Sequence, residues 1–394
     1  MIVELLVSGA SYYLLDLYQK KDFKSYKKEF DVAIERLPVL KNNKNETLLL
    51  ISYDPEPYGY KIKFYLPIGI TTDTLQNNYL EIKQAFKLNS FHFSEEERLI
   101  TLYAIKQYDF KPFKPYKLKP NEILIGEFIG KYIVIDMNKF PHCLIGGDSG
   151  TGKSRILFTI LTNLISSSNK INLYLLQVRK NDLVLFRNCK QVKACSQTLE
   201  QVLESLQGID LELQRREALL DIEKGYLNIA DYNNKSGENL KYIYVIIEEF
   251  SFLNISRADT KEEKAIKAEC LKHIKSIVNV GRSSGVFLIT SLQKPTNDSI
   301  PSDIKAQLTC RVSMMIKDKQ TSIVVLGNDA AVELGDREFV CRTKGTVKGY
   351  SLTIDFPEIQ EYTKKSTVVK QPKINSPIKE KAKNADDILN ALGL

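Results

Sequence analysis

Tryptophan is absent from the 394 residues, histidine occurs three times, and the six cysteines (Cys143, Cys189, Cys195, Cys270, Cys310, Cys341) never form a C-x-x-C pair. So few ligand residues argue against a zinc site. Scattered thiols exclude the disulfide framework of a small secreted domain and fit a reducing cytoplasm. Apolar runs are short. Residues 2–18 are mostly apolar, but Glu4 and Asp16 interrupt them, whereas a bilayer span needs about 20 apolar residues. No basic stretch precedes them, as a signal peptide would require. Neither sign of charge dominates: 56 Lys+Arg against 48 Asp+Glu leave +8, which suits a polyanionic partner without demanding one. With 43% hydrophobic and 26% charged residues, a disordered or collagenous chain is excluded. The length fits roughly two or three domains.

Five segments are expected. Residues 1–46 hold the apolar stretch and a basic, aromatic one (Lys20, Lys21, Phe23, Lys24, Tyr26, Lys27, Lys28). The latter reads either as an amphipathic helix on its own domain or as a surface for the inner face of a membrane. Residues 47–110 form a small α+β domain. Thr47–Ser52 and Tyr60–Leu66 are strand-like around a Pro/Gly turn, and 72–88 are helical. Ser94 and Glu97 read as a capping box opening a helix to about Tyr108. Residues 111–120, with three prolines among lysines, are an extended linker. From 121 to 357, apolar strands (Cys143–Ile145, Ile171–Leu176, Tyr242–Ile247, Val286–Thr290) alternate with longer amphipathic helices. Strands without polar alternation are buried on both faces, so this is an α/β domain with a mostly parallel sheet. Residues 358–394 read as a lysine-rich flexible tail.

Gly147, Asp148, Ser149, Gly150, Thr151, Gly152, Lys153 and Ser154 spell G-x-x-x-x-G-K-S between an apolar strand and an amphipathic helix. In that setting the backbone N–H groups curl around phosphates and the helix N-terminus adds partial positive charge. Lys153 reaches the β/γ-phosphates of ATP and the Ser154 hydroxyl ligates Mg²⁺.

The strand Tyr242–Ile247 ends in Glu248 and Glu249. An acid there holds the Mg²⁺ shell and its neighbour polarises the attacking water, so Glu248 is expected at the metal and Glu249 at the water. Alone, such a pair equally caps a helix. Gln293, just past the strand at 286–290, is a candidate for the γ-phosphate; the alternative is a surface glutamine. Arg282 and Arg311 are candidates for stabilising the charge of the transferring phosphoryl group across a subunit boundary, or are ordinary surface arginines.

With these residues in view, Ile123–Ser154 resembles the motor-entry segment of the FtsK/SpoIIIE DNA translocases, in which a β-hairpin and a Pro-His (here Pro141-His142) lead into the phosphate loop. Further stretches resemble the family in order: QVRKNDLVLF; a helix with paired arginines (Arg215, Arg216) followed by Asn228, Tyr232 and Asn233; VIIEEFSFL; GRSSGVFLITSLQKP; and the region from Asp303 to Gly335. The resemblance implies a RecA-like P-loop ATPase that assembles as a homohexamer on double-stranded DNA, with a neighbour's arginine completing each site. Glu248 stands where the family usually has Asp. No winged-helix reader and no multi-pass anchor are recognisable. The resemblance is therefore to the conjugative branch, whose short motors bring a relaxase–DNA complex to a membrane transfer channel.

Overall fold

In the computed structural model, residues 24–293 and 299–368 are described. The apolar stretch 2–18 and the lysine-rich segment 369–394 lie outside them. The chain divides into two compact units at 109/110.

The first unit opens with helix α1 (residues 24–35). It continues with β1 (Leu49–Glu56), β2 (Gly59–Tyr65), α2 (Thr72–Asn77), α3 (Tyr79–Ala85), β3 (Ser90–Glu96) and β4 (Leu99–Ile105). The strands form an antiparallel sheet in the order β1-β2-β4-β3. The hairpin around Asp54–Gly59 and the helical 72–88 region are as expected. The helix expected from Ser94 to Tyr108 is not there: Ser94 lies in β3 and residues 99–105 form β4. Ile100, Leu102 and Ala104 are buried while Leu99, Thr101 and Tyr103 are only half-buried, a period of two that places one face on the core with Ile62, Phe64 and Phe91. Glu97 turns the chain with φ 58°. A capping motif lacking a 3.6-residue apolar period behind it does not make a helix.

The second unit begins with residues 110–121. They are extended, as the prolines require, but they do not swing free. Phe113 is fully buried. Its N–H donates to Thr353 O at 2.7 Å, and Tyr116 N–H donates to Asn163 Oδ1 at 2.7 Å. The expected linker is a strap laid on the α/β unit, because Phe113 supplies an apolar anchor that a linker lacks.

The elements that follow are β5 (Glu122–Phe128), β6 (Lys131–Asp136), β7 (Cys143–Gly146), α4 (Lys153–Ser167), β8 (Ile171–Leu176), β9 (Val192–Ser196), α5 (Leu199–Leu219), α6 (Ile229–Ser236), β10 (Tyr242–Ile247), α7 (Lys261–Ser284) and β11 (Val286–Leu292). After them come α8 (Ser302–Gln307), β12 (Cys310–Ser313), α9 (Lys319–Leu326), β13 (Glu338–Arg342), β14 (Thr346–Tyr350) and α10 (Phe356–Thr363). One sheet runs β6-β5-β14-β13-β12-β7-β11-β10-β8-β9. From β12 to β9 every pairing is parallel; the other four strands pair antiparallel.

Strand alternation explains the two layers of helices. Along β10, Tyr244 and Ile246 face a core shared with Ile156, Ile160 and Leu164 of α4. Ile243, Val245 and Ile247 face the opposite core, shared with Leu206, Ile209 and Leu213 of α5 and Ile274 and Ile277 of α7. The same apolar run thus serves two faces. The Thr260/Glu263 capping box opens α7 as the rule requires. The unit also runs past the expected limit at 357. That position falls inside α10, and Ser366 still accepts a hydrogen bond from the buried Gln191 (Nε2 to Oγ, 3.2 Å).

His142, one residue before β7, is buried with φ 62°, and its Nδ1 accepts from Leu288 N–H at 3.0 Å. Burial drives its pKa down to about 4 from the ordinary 6.5. The unfolded chain therefore takes up a proton that the folded one refuses, so stability falls as pH drops from 6.5 towards 4, by about 3 kcal/mol in total. We predict that His142→Asn, which keeps an acceptor and tolerates the left-handed backbone, flattens this part of the urea-unfolding pH profile. An unchanged slope would refute the assignment.

Candidate functional site

Parallel α/β sheets place their sites beyond the carboxyl ends of the strands, and the sequence-selected residues converge there. Gly146 ends β7 and pairs with Leu292 of β11. Ile247 ends β10 and pairs with Thr290 of β11. The phosphate loop, Gln293 and the two glutamates therefore leave three adjacent strands at one edge.

The loop curls as its glycines permit: φ is 148° at Gly147, 82° at Gly150 and 108° at Gly152. At Gly147 a Cβ would lie 2.8 Å from Met314 Cβ and 3.0 Å from Thr151 Oγ1, so no larger residue fits. Asp148 docks the loop on the chain after β12. Its N–H donates to Met315 O at 3.0 Å, and its carboxylate accepts from Lys317 N–H at 3.1 Å. Lys153, in the first turn of α4, folds its ammonium back onto Gly147 O at 2.6 Å and Asp148 O at 2.7 Å.

Glu248 and Glu249 are both buried. The Glu248 carboxylate is gripped by Lys180, from the loop after β8, at 2.8 and 3.1 Å. The Ser291 hydroxyl donates to its main-chain oxygen. Burial raises the Glu248 pKa, and Lys180 opposes that rise. Glu249 accepts from Ser251 Oγ at 2.9 Å and from Gln293 N–H at 3.1 Å. The Lys153 pKa is lowered by burial first; Glu249, Asp148 and Glu248 pull it up and Lys180 pushes it down. These charges therefore share one neighbourhood. Ser149, Gly150, Gly152, Lys153, Ser154 and Gln293 line a common cleft of about 450 Å³.

The donor set fits a nucleotide phosphate chain. A glycine cradle, a helix N-terminus and an ammonium bonded to loop carbonyls form a hole for an anion. Ser154 opens onto the same cleft and suits a Mg²⁺ ligand. Glu248 fits a contact through metal-bound water, since Mg²⁺ keeps several waters.

The two arginines do not join this cluster within the chain. Arg282 is exposed in the last turn of α7, at the edge where β11 begins, and its Nε donates to Asn138 O at 2.8 Å. Arg311 lies in β12 and donates to Leu308 O and Lys305 O at 3.1 and 3.0 Å. Of the paired arginines, Arg216 is buried and holds Ser284 O, Lys241 O and Glu212 at 2.8 Å each. It ties α5 to the end of α7 and the start of β10. Asn228 caps α6 through its Oδ1. Lys180 was not singled out from the sequence. No spacing rule marks it, because only the packing of β8 beside β10 brings its loop to Glu248.

The FtsK/SpoIIIE family model matches residues 113–348, and the chain belongs to that family. DNA translocase FtsK of Borreliella burgdorferi is 30% identical over 217 residues, which are 53% of this chain and 26% of that protein. DNA translocase SftA of Bacillus subtilis is 27% identical over 224 residues, 54% of this chain and 22% of that protein. The chain thus spans about a quarter of the length of these curated relatives. Among solved structures, the pCW3 conjugation coupling protein TcpA, in a monomer form with ATPγS, superposes with a TM-score of 0.61 at 23% identity. That match covers 86% of this chain and 98% of TcpA. The cytoplasmic domain of the type VII secretion ATPase EccC of Thermomonospora curvata gives 0.53 at 20% identity over 66% of this chain and 34% of that one. These likenesses establish a RecA-like P-loop ATPase fold.

Removing one partner of a buried ion pair leaves the other charge uncompensated. Lys180 is 30% exposed, which moderates the effect. We predict that Lys180→Met lowers stability by about 2 kcal/mol at pH 8. Without Lys180 the folded-state pKa of Glu248 rises further above its unfolded value, so the folded chain gains a proton as pH falls. The deficit therefore shrinks towards acid and is absent in Lys180→Met/Glu248→Gln. Denaturant unfolding at three pH values checks this; a deficit equal at all of them contradicts it.

Proposed function

We propose that this chain is an ATP-driven DNA translocase that acts as a coupling protein in conjugative transfer or mobilisation of a plasmid or integrative element. The observation that carries the proposal is the meeting of the phosphate loop, Glu248, Glu249 and Gln293 at one sheet edge in a chain of the FtsK/SpoIIIE family. The conjugative role is supported by the near-complete overlap with TcpA in both chains.

Mg²⁺, when bound, would supply charge neutralisation to the phosphates. The chain does the rest. The loop N–H groups that remain free of main-chain partners among residues 149–154 hold the phosphates. Lys153 exchanges its carbonyl partners for phosphate oxygens, which compensate it better than neutral dipoles do. Ser154 and Glu248 would hold the metal and its water shell, with Lys180 favouring the ionised form of Glu248. Glu249, fixed by Ser251 and the Gln293 N–H, accepts a proton from the attacking water. The Gln293 side chain, on the cleft wall, senses the terminal phosphate.

A homohexamer on double-stranded DNA would bring a neighbour's arginine to each cleft. Arg282, exposed and held by one carbonyl, is freer for that than Arg311, whose two carbonyl bonds cap α8. Contacts to DNA would run through phosphates and be independent of sequence. A relaxase and a membrane transfer channel are the expected protein partners. Among the described residues no helix is long and apolar enough to cross a membrane, so attachment to the inner face would run through a partner or through residues outside the described ones. A protein-moving ring ATPase is the second reading, favoured by the EccC likeness.

The test is ATP hydrolysis with and without duplex DNA across a salt series. We expect stimulation by DNA that weakens steeply as salt rises, and loss of hydrolysis by at least about a hundredfold in Lys153→Ala. Hydrolysis indifferent to DNA rules out the translocase, and stimulation by a polypeptide substrate instead selects the second reading.

A further inference from the structure

The cleft extends beyond the phosphate loop. It is lined as well by Arg155 and Phe158 of α4 and by Ile354, Asp355 and Phe356, where the chain leaves β14 and enters α10. Phe158 lies four residues after Ser154, so both project from the same face of α4. Phe356 packs against Phe158 with ring centroids 6.0 Å apart and planes at 55°. This tilted contact leaves Phe356 58% exposed. Among the described residues the other large exposed apolar side chains are aliphatic or tyrosine. A phenylalanine open to water inside a cleft is the informative kind of exposure.

Few side chains beside these rings can read a ligand. The Asp355 carboxylate is committed to its helix cap, accepting from Glu358 N–H at 2.8 Å. Arg155 offers an exposed cation, which attracts an aromatic face or a phosphate. Phosphate-loop residues and two phenylalanines line one cleft, so a ligand that carries both phosphates and a flat ring matches its lining.

We propose that Phe356 is the stacking platform for the nucleotide base, and that the site selects purines by ring area and not by hydrogen bonds to the base edge. This rests on the nucleotide-binding reading above and adds the specificity of that site. Base–aromatic stacking is worth about 1–3 kcal/mol per base and tolerates any base with a π-face.

The experiment is calorimetric titration of the full chain with Mg²⁺ and ATP, GTP, CTP or inorganic tripolyphosphate, for the parent, Phe356→Leu and Phe356→Trp. Phe356→Leu keeps apolar bulk against Phe158 and removes the ring; matched thermal unfolding confirms the fold. The parent is expected to bind ATP and GTP within about threefold of each other, and CTP more weakly. Phe356→Leu should lose roughly 5- to 150-fold in ATP affinity with tripolyphosphate affinity unchanged, and Phe356→Trp should retain ATP. The proposal is overturned if Phe356→Leu binds ATP like the parent, if ATP and tripolyphosphate weaken together, or if the parent prefers ATP to GTP by more than about tenfold. A parent that binds neither ATP nor tripolyphosphate instead refutes the nucleotide site itself.

Discussion

The site of the second unit depends on one electrostatic constraint: a buried lysine ammonium held in a glycine loop at a helix N-terminus, where negative charge is favoured. Lys153 is buried and bonded to neutral carbonyls of its own loop. Such an ammonium is only partly compensated. The loop can hold it there because everything beneath is stiff. β7 lies between two parallel neighbours, Asp148 is pinned to the chain after β12 at two points, and α4 is buried on Ile156, Ile160 and Leu164.

The acidic side of the site is built on the same principle with the signs reversed. Glu248 and Glu249 follow a strand whose six residues are all buried. Neither carboxylate has room to search for partners, so the fold provides them. Lys180 comes to Glu248 from the neighbouring strand, and Ser251 and the Gln293 main chain come to Glu249. β11, between the phosphate strand and the acidic strand, delivers Gln293 to the gap. A parallel sheet suits this chemistry because it brings the ends of sequence-distant strands to one edge at fixed spacing.

Several residues in family-like stretches turn out to be structural. Arg216 satisfies two main-chain carbonyls with one guanidinium, and Asn233 closes a loop by exchanging two hydrogen bonds with Leu240. Buried polar groups of this kind specify one geometry, since leaving any of those carbonyls unpaired in the interior costs about 1–3 kcal/mol. Their presence in a motif reflects the placing of α7, β10 and α6.

Reading the chain in order was enough for features whose physics is local. The phosphate loop is a contiguous run of eight residues whose glycines and lysine act through their own backbone. The parallel strand at 242–247 is an apolar run with no alternation. The two glutamates follow such a run directly. Tertiary structure decided whatever depended on neighbours distant along the chain. Ser94–Glu97 became a hairpin because Ile100 and Leu102 find a core that a helix would turn half away from. The proline-rich strap lies down because Phe113 has a pocket to fill. Lys180 reaches Glu248, and Phe356 reaches the cleft, only through the packing of β8 beside β10 and of α10 on α4. A side chain's partners across the fold carry no periodic signature in the sequence, whereas a backbone's own preferences do.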